Sequence, residues 1–319
     1  MVRAVGRNRE VGAEVLTEGG AVPFVERHRV GGGGELAAEE RGPVVVEVSE
    51  ARRHVDAARL DVLEAGALEE IGQRAGLADR EAAAFVALAI PRSSRWLDVG
   101  CGTGALAETI LRHASPAQIH GVDPSDGYLA LARQQVRDPR VRFDVGDARR
   151  LPAEAERYDA VVSALVLNFI PDLSLGMSEM ARVTRPGGVV AAYVWDYAGK
   201  MELMRYFWDA VIALKPETAD RDEGRRFSIC QPGPLKDLFE RAGLKNVDVR
   251  SIDVPTRFRD FDDYWTPFLG GQFPAPAYAM SLDEPDRAAL REHLRARLPI
   301  APDGSIALIA RAWAARGIR

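Results

Sequence analysis

Strand and helix segments alternating from residue 95 onward predict an α/β fold, a parallel sheet with helices on both faces. Three observations carry this. Short apolar runs recur between helical stretches, each crossover is brief, and a glycine-rich turn joins the first strand to the first helix. RWLDVG (95–100) reads as an apolar strand ending in glycine, ALAETILRHA (105–114) as a helix, and QIHGVD (118–123) as a strand. SDGYLALARQQV (125–136) reads as a helix with Ser125 placed to cap it. VRFDVGD (141–147) and YDAVVSALV (158–166) are strands, the second more buried, and LSLGMSEMARVT (173–184) is a helix ending before the turn RPGG. GVVAAYVWD (188–196) is a strong central strand. LKDLFERAGL (235–244) is a helix stopped at Gly243, NVDVRSIDV (246–254) a strand, and SIALIARAWAAR (305–316) a final strand.

Two long segments, about 197–233 and 256–303, interrupt the series. Both are rich in aromatics and proline, and the second contains LDEPDRAALREHLRARL, an amphipathic helix. Insertions beyond the carboxyl ends of sheet strands are usual places for lids and substrate walls. Residues 1–50 read differently, with glycine runs at 19–20 and 31–34 and no sustained apolar period, and predict a poorly ordered extension. Within it PVVVEVSE (43–50) has the composition of a short strand. Residues 51–92 predict a helical segment, with Val55, Leu60, Leu63 and Leu68 in a loose stripe and a second helix at 79–89. The main domain is expected over 93–319.

Composition narrows the function. The 319 residues are 47% hydrophobic and 28% charged, the range of a globular protein, which excludes collagen-like and wholly disordered readings. Lys and Arg number 42 against 47 Asp and Glu, a formal charge of -5, so binding of nucleic acid through a broad phosphate footprint is not expected. Two cysteines, Cys101 and Cys230, make no disulfide framework and point to a reducing cytoplasm. No apolar run is long enough to span a bilayer, and the opening MVRAVGRNRE lacks the apolar core of a secretory signal. With no Cys/His cluster at ligand spacing, no metal is expected. The oligomeric state is left open.

The sharpest motif is Asp98-Val99-Gly100-Cys101-Gly102-Thr103-Gly104-Ala105, lying between a strand and a helix. Glycines there permit a tight turn and let the backbone approach a ligand that also meets the helix N-terminus. Gly100, Gly102 and Ala105 satisfy the dinucleotide pattern G-x-G-x-x-G/A, and Asp123 at the end of the next strand suits the ribose of either a dinucleotide or another nucleoside. Charge separates the two. Asp98, immediately before the glycines, would repel a pyrophosphate by roughly a kcal/mol or more at close range. It would attract a ligand bearing an ammonium group and a sulfonium, as S-adenosylmethionine does. An NAD(P)-dependent oxidoreductase and a catalytically silent S-adenosylmethionine-binding protein remain as alternatives.

At these residues the chain resembles the class I S-adenosylmethionine-dependent methyltransferases. LDVGCGTG (97–104) is similar to the family's first motif, GVDPS (121–125) to the second and VGDARRLP (145–152) to the third. YDAVVSALVLNFIPD (158–172) resembles the strand and loop that face the reactive methyl, and RVTRPGG (182–188) the turn before the fifth strand. The resemblance implies a Rossmann-like, seven-stranded, mostly parallel sheet of order 3-2-1-4-5-7-6 with the last strand antiparallel, and helical lid insertions after strands 5 and 6. It implies S-adenosylmethionine as cofactor, held by Asp98, Gly100, Cys101, Gly102, Gly104, Asp123, Pro124, Asp147, Ala148 and Ser163. Asp123 would take the ribose, Asp147 the adenine amino group, and Ala148 the ring.

The branch most similar in pattern acts on small molecules and includes quinone-biosynthesis-type enzymes. Many relatives carry a histidine or two where this chain has Asn168-Phe169, which removes any base expected there. No Asn/Asp-Pro-Pro-aromatic sequence follows YDAVVS, so the amino-methylating DNA enzymes are a poor match. The expected acceptor is a small, apolar or aromatic molecule, bordered by Asn168, Phe169, Trp195, Tyr197, Tyr264 and Trp265. Trp195 and Tyr197, with Tyr206, Phe207 and Trp208, could equally be core packing of the first insertion, a role favoured for Phe207 or Trp208, and Tyr264, Trp265 and Phe268 could equally anchor the second. Asp196, after the fifth strand, is the one candidate to accept a proton or orient a substrate, against an ordinary role as a cap. Cys101 is expected to be a small filler and Cys230 an inert thiol. His28, His54, His113, His120 and His293 are read as surface or packing residues.

Overall fold

A computed structural model describes residues 90–271 and 274–319. The extension expected over 1–50, the short strand at 43–50, both N-terminal helices, His28 and His54 therefore lie outside the described residues. Seven strands form one sheet in the order β3-β2-β1-β4-β5-β7-β6. They are β1 (Arg95–Val99), β2 (Gln118–Asp123), β3 (Val141–Val145), β4 (Tyr158–Ala164), β5 (Thr184–Trp195), β6 (Lys245–Phe258) and β7 (Ile306–Ile318). Every pairing from β3 to β5 is parallel, while β7 runs antiparallel to both β5 and β6. Parallel strands need crossovers, and the helices α1 (Ala105–Ala114), α2 (Asp126–Gln135) and α3 (Leu173–Val183) supply them. Ser125 caps α2 as its sequence position predicts, its Oγ accepting the Tyr128 amide at 3.3 Å.

Each sheet face has its own apolar core. On one side Leu106, Ala107, Ile110, Leu129 and Ala132 of α1 and α2 pack with Trp96, Ile119 and Phe143. On the other, Met177 and Met180 of α3 and Leu235 and Phe239 of a later helix, α6 (Pro232–Arg241), cover Leu97, Val99, Val161 and Val190. Period-two alternation of large aliphatics on β1, β4 and β5 fills both cores, as expected for strands buried on two faces.

The helix expected over 235–244 is shifted to Pro232–Arg241, and two strand boundaries differ from the sequence expectation in ways that matter for the sheet. The turn RPGG does not precede β5 but lies within it. Thr184 already pairs with Tyr158, the register then shifts, and Ala160 pairs with Val189, so the glycines form an irregularity in a continuous strand. Likewise β6 does not stop at residue 254. It continues through Pro255 to Phe258, paired with β7 throughout. Pro255 is tolerated because β6 is the edge of the sheet.

Since β5 and β6 both run antiparallel to β7, they point the same way, and both insertions leave from the carboxyl edge of the sheet. The first comprises α4 (Glu202–Leu214), a single turn α5 (Glu223–Arg226) and the start of α6. The second comprises α7 (Phe261–Trp265), α8 (Pro274–Ser281) and α9 (Glu284–Arg297). The two insertions share one core: Leu203, Phe207, Trp208 and Val211 of the first pack with Phe261, Tyr264, Phe268, Tyr278, Leu290 and Leu294 of the second. Phe207 stacks on Phe268 with ring centroids 4.4 Å apart and planes 10° from parallel.

Candidate active site

The first half of the site is built by the turn from β1 to α1. Gly100, Gly102 and Gly104 all have positive φ, 73°, 52° and 90°. The turn is tied to β2 by Val122, whose carbonyl accepts the amides of Gly100 at 2.7 Å and Cys101 at 3.1 Å. At Gly100 a Cβ would strike Val166 at 2.5 Å, so this glycine lets the loop after β4 close against the turn. At Gly102 a Cβ would meet no atom of the described residues within 4 Å, so the backbone there is open toward them. No side chain caps α1, leaving the donors of its first turn for a ligand.

Carboxylates surround this turn. Asp98 is fully buried on β1, in register with Val162 and thence with Ala191. Asp123 ends β2, its Oδ2 accepting the Gly102 amide at 3.0 Å and its Oδ1 the Ser125 amide at 2.9 Å. Each oxygen keeps a further lone pair for a hydroxyl. Cys101, buried between the two acids, has its thiol pKa raised first by burial and then by the charges of Asp98 and Asp123, which makes it an inert filler. Pro124 is exposed beside Asp123.

Asp147 follows β3, and both its carboxylate oxygens are engaged by Arg149. Oδ2 accepts from Nη2 at 2.6 Å, and Oδ1 accepts the Arg149 amide at 2.8 Å and Nε at 3.0 Å. These bonds hold Asp147 below the usual carboxylate pKa. Ala148 packs at the margin of the core under α3. Ser163 is buried, and its hydroxyl donates to the Val99 carbonyl at 2.9 Å. It staples β4 to the base of the glycine turn, so its side chain is committed to the scaffold.

The second half lies after β4 and β5. Leu165 adopts φ 57°, unusual for a bulky residue, while its amide donates to the Tyr193 carbonyl at 2.9 Å. Asn168 has its Nδ2 buried without a partner, and Phe169 is 47% exposed. Phe169 meets Phe227 edge-on at 5.6 Å, and Phe227 meets Tyr197 at 5.8 Å. Three aromatics from the β4 loop, the β5 loop and the first insertion thus form one run. Trp195 is partly buried against both sheet cores.

Other expected site residues are drawn into the scaffold. Asp196 is buried and its Oδ2 accepts the Lys200 amide at 3.0 Å, while a Cβ at Gly199 would meet the same oxygen at 2.5 Å. Its carboxylate holds the turn between β5 and α4 through the Lys200 amide, while the N-cap position of α4 itself, Met201, receives no side-chain bond. Tyr264 is fully buried and donates to the Leu203 carbonyl at 3.0 Å, and Trp265 lies 5.9 Å from Phe268. Tyr264 thus anchors the second insertion to the first, and Trp265 packs within their shared core. Cys230 is buried, its thiol pushed up to about 12 by burial and by the charges of Glu223 and Asp196. Val166, Phe227 and Tyr193 are absent from the sequence reading; only Tyr193, a polar aromatic in an otherwise aliphatic strand, left a signal there.

Residues 97–192 match the model of a family described as a methyltransferase domain. Seven strands in this order, with the glycine turn and Asp123 at adjoining carboxyl ends, are the architecture of the class that the matched motifs define. The chain is a class I S-adenosylmethionine-dependent methyltransferase, and S-adenosylmethionine is its cofactor. Among curated relatives, demethylmenaquinone methyltransferase of Staphylococcus aureus is 27% identical over 177 residues, covering 52% of this chain and 73% of the relative. Among solved structures, a candidate methyltransferase from Bacillus halodurans has a TM-score of 0.52 at 15% identity, covering 75% of this chain and 98% of that one. The YcgJ protein from Bacillus subtilis has a TM-score of 0.51 at 17% identity, with the same coverage. Those two likenesses are of fold. No helix of the described residues is long and apolar enough to cross a membrane.

Proposed function

We propose that the acceptor is a small, apolar or aromatic molecule, methylated by in-line transfer beneath a lid formed by the two insertions. The observation that carries this is the aromatic run Phe169–Phe227–Tyr197, which stands beside Asn168 at the carboxyl end of the sheet. The loop bearing Asn168 and Phe169 is packed onto the glycine turn through Val166 and Gly100, so acceptor and cofactor regions adjoin. Bound cofactor supplies a methyl group on a positively charged sulfur.

The chain's own residues divide the remaining work. The open backbone at Gly102 and the uncapped start of α1 suit a carboxylate, and buried Asp98 suits an ammonium group. Asp123 keeps lone pairs for two ribose hydroxyls, and Asp147 with Ala148 would border the adenine. Phe169, Phe227 and Tyr197 would hold a flat acceptor by ring contact and exclude water. Alignment of this kind can supply about 7–11 kcal/mol of a displacement barrier, with a base needed only when the acceptor arrives protonated and weakly acidic. That demethylmenaquinone methyltransferase is a relative favours an oxygenated aromatic ring among such acceptors.

The test has two arms. Calorimetric titration with S-adenosylhomocysteine, with NADH in parallel, is expected to give micromolar binding of the former alone. Incubation with methyl-labelled cofactor and separate panels of phenols, quinols and aromatic amines should label an extractable small molecule. Label transferred only to protein or nucleic acid would overturn the proposed acceptor class.

A further inference from the structure

Two buried donors beside the loop after β4 find no partner among the described residues. One is Asn168 Nδ2, in the short turn after β4. The other is the hydroxyl of Tyr193 on β5, a residue only 3% exposed. A buried hydroxyl without a partner is costly, and such groups are retained where a ligand completes them.

The sheet register gives Tyr193 its setting. Asp98, Val162 and Ala191 stand in register across β1, β4 and β5. Tyr193 is two residues beyond Ala191, hence on the same face as Asp98 and one pleat nearer the carboxyl edge. Its neighbours across both flanking strands are alanines, Ala164 on β4 and Ala314 on β7. No large side chain therefore stands abreast of the Tyr193 ring on either neighbouring strand. Directly past Ala164 comes Leu165, held at φ 57° with its amide on the Tyr193 carbonyl, so the backbone bends away from the strand at this level. Trp96 Nε1, near the start of β1, and Trp313 Nε1 are also buried without partners among the described residues, but Trp313 pairs with Val194 and so stands on the sheet face opposite to Tyr193.

We infer that Tyr193 is the polar anchor of the acceptor pocket, its hydroxyl donating to a ring oxygen of a phenol or quinol that lies over Ala164, with Asn168 Nδ2 available to a second oxygen. Asn168 Nδ2 can only donate, and the Tyr193 hydroxyl can donate as well as accept, so a ring carrying two oxygens completes both groups where a ring with a single amine does not. This rests on the small-acceptor reading above and deepens it.

Tyr193→Phe isolates the hydroxyl at nearly constant volume. The probes are S-adenosylhomocysteine, then 1,4-dihydroxynaphthalene and 1-naphthol titrated into the complex, with 1-naphthylamine as the oxygen-free control. Expected are cofactor-product affinity within twofold of the parent, a melting temperature equal or higher, and at least tenfold weaker binding of the hydroxylated rings. A lower melting temperature would make the hydroxyl structural and overturn the inference. So would undiminished binding of the hydroxylated rings, or a parent protein that binds 1-naphthylamine but neither oxygenated ring. Failure of the parent to bind S-adenosylhomocysteine at all would instead remove the cofactor-site assignment beneath it, a separate result.

Discussion

Asp123 and Gly102, 21 residues apart, are joined by a hydrogen bond of 3.0 Å from the glycine amide to the carboxylate. The acid at the end of β2 therefore braces the turn after β1 while keeping lone pairs for a ligand. Asp123→Ala removes both functions. S-adenosylhomocysteine affinity should fall by about 1.5–3 kcal/mol, the scale of lost charged hydrogen bonds. Calorimetry checks this, and an unchanged affinity would remove Asp123 from the ribose site.

Neighbouring glycines in the turn should respond differently to the same substitution. At Gly102 the space is open, so Gly102→Val should cost the fold about 1–2 kcal/mol of backbone strain and abolish binding of the cofactor product. At Gly100 the new side chain meets Val166, so Gly100→Val should lower the urea midpoint further, through packing. The paired measurement is urea unfolding and calorimetry on both variants. Retained binding by Gly102→Val would contradict the placement of the ligand against that backbone.

Tyr264→Phe separates an anchor from a substrate wall. The change leaves the buried Leu203 carbonyl without its donor, and stability should drop by about 1–3 kcal/mol. Affinity for S-adenosylhomocysteine should stay as it was, and KM for the acceptor should move by less than twofold. A tenfold rise in KM with intact stability would put Tyr264 against the acceptor after all.

His120 sets a pH dependence of known sign. Its Nδ1 lies 2.6 Å from the Tyr158 hydroxyl and 3.1 Å from Arg142 Nη2, and its Nε2 lies 2.9 Å from Asp144. Burial, and after it the Arg142 charge, holds the imidazole pKa below the ordinary 6.5. Between 6.5 and that lower folded value the unfolded chain carries the extra proton. Stability contributed by neutral His120 is thus full above pH 6.5 and is lost as pH falls through the folded value. Urea midpoints at pH 7.5, 6.5 and 5.5 should decline for the parent and decline less for His120→Gln. Parallel slopes would assign the dependence to other groups.

The sheet was legible because its signals are local. Alternating apolar strands, Ser125 at a helix start and Gly243 at a helix stop each fix one element, and the motif order over 97–188 fixes their sequence in the sheet. The cofactor half of the site was legible for the same reason, since Asp98, the glycines and Asp123 lie at the ends of those strands. The acceptor half was not. Tyr264 and Trp265 carry the same side chains whether they wall a pocket or pack a core, and only the Leu203 carbonyl distinguishes the cases. Asp196 was ambiguous until the turn at Gly199 closed on its carboxylate. Phe227 meets Phe169 across 58 residues of chain, a separation with no signature in either neighbourhood.

The two insertions share a single aromatic core, whereas the glycine turn belongs to the cores of the sheet. Substitutions that repack Leu203–Val211 against Phe261–Leu294 can therefore drift together without disturbing the turn after β1. Because Phe207 stacks on Phe268 across the two segments, 200–232 and 259–305 form a single cassette. Recombination between relatives should give stable protein only when both segments travel together.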